Sequence, residues 1–304
     1  MSVSYHRPVL LDETIEALHI KPNGVYVDVT FGGGGHSREI LKNLNENGRL
    51  IAFDQDPDAL ENIPKNDPRF LLVNQNFRYL TQFLQFHKAI KVDGILADLG
   101  VSSHQFDVAE RGFSTRFEGR LDMRMNPQNN LTAFEIVNEY PEKKIADILY
   151  QYGELSAARK IATTVVKNRN ESPIKTTQDL TKILLPLLPY KKQQKMLAQV
   201  FQALRIEVNQ ELKVLKDFLT QVPPLLKKNG RLCVISYHSL EDRLVKRFMR
   251  DGVFLGTPEK DFYGNFITPL KPFGKFISPS KKEITANKRA RSAKLRTAIK
   301  NQND

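Results

Sequence analysis

The chain has 304 residues, 40% of them hydrophobic and 26% charged, which allows a substantial core and excludes a disordered or fibrous protein. Its formal net charge of +12 points to a polyanionic partner, nucleic acid first. One cysteine, Cys233, excludes an intrachain disulfide and a cysteine zinc cluster, and no signal peptide or membrane-length run is visible. A cytoplasmic protein without bound metal is expected.

From Val25 onward, short β-rich runs alternate with helical ones. VYVDVTF (25–31) reads as a strand, SREILKNLN (37–45) as a helix and RLIAFD (49–54) as a strand. PDALENI (57–63) follows as a short helix opened by Pro57. FLLVNQNF (70–77) and VDGILADLG (92–100) read as further strands flanking the helix LTQFLQFHKAI (80–90). The strands are apolar on both faces, as parallel strands covered by helices must be, so a doubly wound α/β sheet is expected. After Gly100 the rhythm breaks into amphipathic helices over 131–140, 141–153, 156–170 and 176–188, the last capped by Thr176 or Thr177. These predict a helical domain, 106–192, inserted into a core made of 1–105 and 193–304. A single long helix over 193–219 then leads into LLKKNGRLCVIS, which restores the α/β rhythm. Lys271 to Lys300 carries ten Lys or Arg against one acid, Glu283, and reads as a basic tail that orders on binding.

Four glycines, Gly32 to Gly35, separate the first strand from the first helix, a costly choice unless bare backbone is required there. No lysine follows them, so GxxxxGK[ST] is absent and an NTPase loop is excluded. The third glycine of a dinucleotide fingerprint falls on Ser37 or Arg38, which disfavours nicotinamide binding. Adenosyl cofactors without a pyrophosphate remain. Asp54, at the end of the second strand, stands where an acid accepts hydrogen bonds from ribose hydroxyls. Phe77 ends the third apolar run, where a ring either covers an adenine or belongs to the core. Asp98 ends the fourth strand, so all four strand ends carry polar or bare residues.

TFGGGGHS, DLGVSSHQ, ERGFS, LDMRMN, FQALRIEVN, ISYHSLEDRLVKRFM and RARSAKLR together resemble the bacterial 16S ribosomal-RNA cytosine-N4 methyltransferase family, the RsmH or MraW family, in register from about His6 to Thr297. The resemblance implies a Rossmann-like, S-adenosylmethionine-dependent methyltransferase fold with an inserted all-helical domain. It implies as substrate the N4 amine of a cytidine in the decoding region of 16S rRNA (cytosine 1402 in standard numbering), within the small ribosomal subunit. It also implies cofactor contacts at Gly34, Gly35, His36, Asp54, Phe77, Asp98 and Gln105. His104 and Lys288 depart from it, standing where proline is common. The acid-x-Gly-x-Gly-x-Gly pattern is not literally present either, because Asp28 is followed by VTFGGGG.

Methylation at a pyrimidine carbon needs a thiolate, and Cys233 sits mid-strand without an adjacent base. Methylation of an exocyclic nitrogen needs only alignment of nitrogen, methyl carbon and sulfur. Asp98 and His238 are the two candidate catalytic residues, although His238, preceding the helix SLED, equally fits a structural role. Arg111, Arg120, Arg124, Arg205 and Arg243 are candidates for holding RNA phosphates, and the basic C-terminal segment is a stronger one as a group. Two alternatives stay open, a non-enzymatic ribosome-assembly RNA-binding protein and a nicotinamide-dependent oxidoreductase. Monomer and homodimer are both compatible with the sequence.

Overall fold

The apolar runs become strands β1 (Val25–Asp28), β2 (Arg49–Phe53), β3 (Phe70–Val73), β4 (Val92–Asp98) and β5 (Leu226–Ser236) in a computed structural model of the chain. The structure describes residues 8–264 and 266–301; His6, where the family-like register begins, lies outside them. Two more strands, β6 (Leu270–Pro272) and β7 (Lys294–Lys300), complete one sheet of order β3-β2-β1-β4-β5-β7-β6 among the described residues. β1 to β5 pair in parallel, whereas β7 runs antiparallel to β5 and to β6.

The chain divides into two compact units, Met1–Gly100 with Lys213–Asp304, and Val101–Leu212. In the first, the alternation of side chains sends Val27, Ile51, Ile95 and Val234 to one face of the sheet. There they pack against α3 (Leu80–Phe86), α10 (Glu211–Leu225) and α11 (Ser239–Asp251). Tyr26, Leu50, Leu96 and Cys233 point to the other face, which α1 (Leu11–Leu18) and α2 (Gly35–Lys42) cover. Burial on both faces explains why the strands read as continuous apolar runs and not as alternating ones.

The second unit begins with the short α4 (Ser103–Asp107). It continues through α5 (Ala133–Glu139), α6 (Glu142–Gln151), α7 (Ala158–Glu171), α8 (Thr177–Leu184) and α9 (Gln193–Asn209). Its core is their apolar stripes, among them Ile136, Ile148, Ile161, Leu180 and Phe201. Thr176 caps α8 in a reciprocal box with Asp179, and Thr132 does the same for α5 with Glu135. No described helix is long and apolar enough to cross a membrane.

Four expectations are corrected. The expected strand 70–77 stops at Val73, and Phe77 opens a 3-10 turn capped by the Asn76 side chain. The single long helix is two, broken at Gln210, which takes a left-handed φ of 51°. The unit boundaries fall at 100/101 and 212/213, so α9 belongs to the helical unit and contributes Leu197, Val200 and Leu204 to its core. Finally, the basic segment after Lys271 is no tail within the described residues. It holds β6, the short α12 (Lys281–Ala286) and β7, whose Lys294 and Arg296 pair with Asp242 of α11 at 3.1 and 2.6 Å.

Candidate active site at the strand ends

The strand order reverses between β1 and β4, and in open α/β sheets ligands bind beyond the carboxyl ends of the strands at such a reversal. β1 ends at Asp28, whose buried carboxylate accepts from the Thr30 N–H at 3.1 Å and from Ser37 Oγ at 2.7 Å. Burial pushes the Asp28 carboxyl above its ordinary range, with these bonds pulling the other way. Thr30 Oγ1 in turn accepts the Asp98 N–H at 2.7 Å, which ties the loop after β1 to the end of β4.

The glycines between β1 and α2 have a requirement of their own. Gly34 has a φ of 72°, and a Cβ there would lie 2.9 Å from the Phe31 ring. At Gly35 a Cβ would lie 2.2 Å from Pro8 Cγ. Packing within the protein therefore forbids side chains at both positions, before any ligand is considered. The turn also delivers the Gly32 N–H to Asp54 Oδ2 at 2.7 Å.

Asp54 lies just past β2 and accepts the Asp56 N–H on Oδ1 at 2.9 Å. Each of its oxygens keeps a further lone pair for a donor such as a sugar hydroxyl. Burial raises its carboxyl to about 6.

His36, in the first turn of α2, is buried, and its Nε2 lies 3.2 Å from the Val9 carbonyl oxygen. A carbonyl only accepts, so Nε2 carries the proton and Nδ1 presents a lone pair. Burial lowers the ring to about 4, so it is neutral at physiological pH. Nδ1 lies 3.7 Å from Asp98 Oδ2. That separation is beyond hydrogen-bond distance, so the neutral ring borders the carboxyl without bonding to it.

Burial, with repulsion from Asp28 and Glu241, raises the Asp98 carboxyl to about 7, against a hydrogen bond from the Tyr237 hydroxyl that pulls it down. That hydroxyl donates to Oδ1 at 2.8 Å. The carboxyl of Asp98 retains 22% side-chain exposure, whereas Asp28 as a whole is only 1% exposed.

The remaining expected residues are placed as follows. Phe77 packs edge-to-face on Phe218 of α10, with ring centroids 5.3 Å apart. Gln105 belongs to the helical unit, where its Oε1 accepts the Ser102 N–H in the capping box of α4. His238 is the N-cap of α11. Its Nδ1 accepts the Glu241 N–H at 3.4 Å and its Nε2 lies 3.1 Å from Glu241 Oε1. The loop that carries Gly34, Gly35 and His36 is thus hydrogen-bonded to Asp54 through Gly32 and to the Asp98 backbone through Thr30, while His238 caps α11 through Nδ1.

Thr30, Ser37 and Tyr237 were not among the expected site residues. Thr30 and Ser37 lie within TFGGGGHS, and Tyr237 follows β5 as Asp54 follows β2, so the strand-end argument applied there would have found it. Of the arginines considered for phosphate, Arg124 forks onto Asp122 at 2.9 and 2.6 Å and Arg205 onto Glu211 at 2.8 and 2.9 Å. Arg111 donates to the Arg124 and Met125 carbonyls. These three side chains already hold the helical unit together.

A profile of the MraW methylase family matches residues 3–301. The chain belongs to the MraW methylase family. Proteins called ribosomal RNA small subunit methyltransferase H are similar over nearly their whole length. That of Flavobacterium johnsoniae is 59% identical over 98% of this chain and 99% of its own. That of Flavobacterium psychrophilum is 60% identical over 96% and 100%, and that of Bacteroides fragilis 55% identical over 98% of each. This MraW-family methyltransferase therefore has a Rossmann-like α/β sheet, with a helical unit lying between two stretches of its chain.

Proposed function

We propose that the chain transfers a methyl group from S-adenosylmethionine to the N4 amine of a cytidine in the decoding region of 16S rRNA, within the small ribosomal subunit. The family relationship supports methylation of small-subunit RNA. The donor set fits an adenosyl cofactor. Asp54 offers acceptor lone pairs for ribose hydroxyls, and Asp98 offers a carboxyl for an ammonium. Among the described residues no side chain caps the first turn of α2, so the N–H groups of that helix start are suited to a carboxylate. Phe77 and Gln105 are retained as cofactor contacts on the family resemblance.

When bound, the cofactor supplies a methyl group on a good leaving group, so the protein's task is positioning. Cytosine N4 is a weak nucleophile because its lone pair is delocalised into the ring. Asp98 is the residue suited to accept a hydrogen from that amine, with Tyr237 holding its orientation through Oδ1. A carboxyl raised to about 7 can also take up a proton near neutral pH, which a carboxylate of ordinary pKa does poorly. His238 stabilises the start of α11 and leaves the amine to Asp98.

The observation that carries nitrogen over carbon methylation is Cys233. It is the sole cysteine, it is fully buried in β5 opposite Thr297, and burial pushes its thiol up to about 12. It cannot supply the thiolate that carbon-5 methylation requires. The test has two parts. Calorimetric titration should give binding of S-adenosylmethionine and S-adenosylhomocysteine and none of a nicotinamide dinucleotide. Tritiated methyl transfer to small subunits should proceed with Cys233→Ser at the wild-type rate. Loss of activity in a folded Cys233→Ser protein would overturn the nitrogen assignment, and absence of any methyl transfer would favour an assembly factor.

A further inference from the structure

We infer that the segment running from Leu255 to Arg291 is a single-stranded RNA-binding surface, with Phe262 and Tyr263 as a stacking tip. This rests on the RNA-methyltransferase reading and adds to it the place where unpaired RNA is gripped away from the strand-end crevice.

The tip is a short hairpin. Lys260 bridges Phe266, the Ile267 N–H donates to the Glu259 carbonyl at 2.8 Å, and the turn between them carries the two rings. Phe262 is 98% exposed and Tyr263 85% exposed, with their rings edge-to-face at 5.7 Å. Exposed single apolar residues are ordinary, but two adjacent aromatic rings fully in water at a turn gain nothing for the fold. Phe266, Phe273 and Phe276 are about half exposed in the same segment.

Cations lie over the half-exposed rings that flank the tip. Lys260 Nζ sits 5.2 Å from the Phe266 centroid, and the Arg231 guanidinium lies 4.6 Å from that of Phe273. Lys271, Lys275, Lys281, Lys282, Lys288 and Arg291 are exposed along the same stretch. Among the acids there, Glu283 is engaged by the Leu10 N–H at 2.8 Å. Rings that expose a face beside a cation, within a stretch of excess positive charge, match a strand whose bases stack and whose phosphates need neutralising. A second copy of a chain carrying +12 would be repelled from such a surface. A membrane would call for an amphipathic helix with an apolar face, and α12 has only six residues, none of them buried against a core.

The full chain is tested with a fluorescent, mixed-sequence single-stranded RNA oligonucleotide and its duplex. The double variant Phe262→Ala/Tyr263→Ala should lose roughly tenfold or more in affinity for the single strand, and little for the duplex. Its melting temperature and its S-adenosylmethionine affinity should match the wild type, since both rings are outside the core. Lys271→Ala/Lys275→Ala should instead flatten the salt dependence, by about 0.7 in slope for each single-strand phosphate that is no longer neutralised. Unchanged single-strand affinity in the aromatic variant would overturn the inference. So would finding that the rings drive self-association in sedimentation, or binding to anionic phosphatidylserine vesicles in place of RNA. No methyl donor enters these titrations, so their failure is distinct from a failure of wild-type methyl transfer.

Discussion

Two regions of the strand-end crevice use the same residue type differently. At β1 and β2, Asp28 and Asp54 accept backbone N–H groups of the adjoining turns, and each fixes the path of a loop. At β4, the Asp98 side chain meets other side chains among the described residues, Tyr237 by a hydrogen bond and His36 at 3.7 Å, and keeps part of its carboxyl open. A carboxylate anchored by backbone amides is fixed in place, whereas one held by a hydroxyl and partly open keeps lone pairs for a ligand, although burial raises all three carboxyls. On the function proposed above, the contrast separates the carboxylates that fix the loops of the cradle from Asp98, which would face both cofactor and amine.

The sharpest way to break this comparison is to remove Asp98. Asp98→Ala should lower single-turnover methyl transfer about 100-fold or more while leaving the protein folded. An effect no greater than that of a cradle residue on turnover would erase the distinction. Asp54→Ala comes next. It should weaken S-adenosylmethionine binding by about 10- to 100-fold through the lost charged acceptor, with a smaller effect on turnover at saturating cofactor. Titration calorimetry and saturation kinetics separate the two.

Tyr237→Phe is a gentler probe. The hydroxyl favours the ionised form of Asp98, so its removal should raise the carboxyl further and move the acid limb of the pH–rate profile to higher pH. A loss of about tenfold or less in rate, without that displacement, would make Tyr237 merely structural. The smallest effect is on stability. Asp98 is raised to about 7 and Asp54 to about 6 in the folded state, above the usual carboxylate value near 4, so the folded protein binds more protons through that interval. Stability should therefore fall as pH rises from about 4 to about 7. Asp98→Asn should flatten part of that fall and melt a few degrees higher than wild type at pH 8. A lower melting temperature there would mean that the ionised carboxyl stabilises the fold.

What the sequence made legible, and what it hid, follows the range of the interactions. Strands β1 to β5 were readable because burial on both faces leaves continuous apolar runs, and α8 because Thr176 and Asp179 cap it locally. β7 was not. Its Lys294 and Arg296 look like a solvated tail until Asp242, some fifty residues earlier on α11, pairs with them. The break at Gln210 carries neither glycine nor proline to announce it. In the site, Asp54 and Asp98 were visible from their positions at strand ends. Tyr237 was visible by the same strand-end argument, but its bond to Asp98 follows only from the register of β4 beside β5, which aligns Asp98 with Ile235. The glycines pointed to a ligand, yet Gly34 and Gly35 are first required by Phe31 and Pro8, neighbours that only the folded chain reveals.

The central claim is that this crevice methylates a cytosine amine with Asp98 as the acting carboxyl. It is tested most directly by incubating small ribosomal subunits with labelled S-adenosylmethionine and either wild-type protein or Asp98→Asn, then digesting the RNA and separating the nucleosides. The account predicts N4-methylcytidine from the wild type and a loss of about 100-fold or more from Asp98→Asn. Label in 5-methylcytidine, or an Asp98→Asn protein that forms N4-methylcytidine at the wild-type rate, would contradict it.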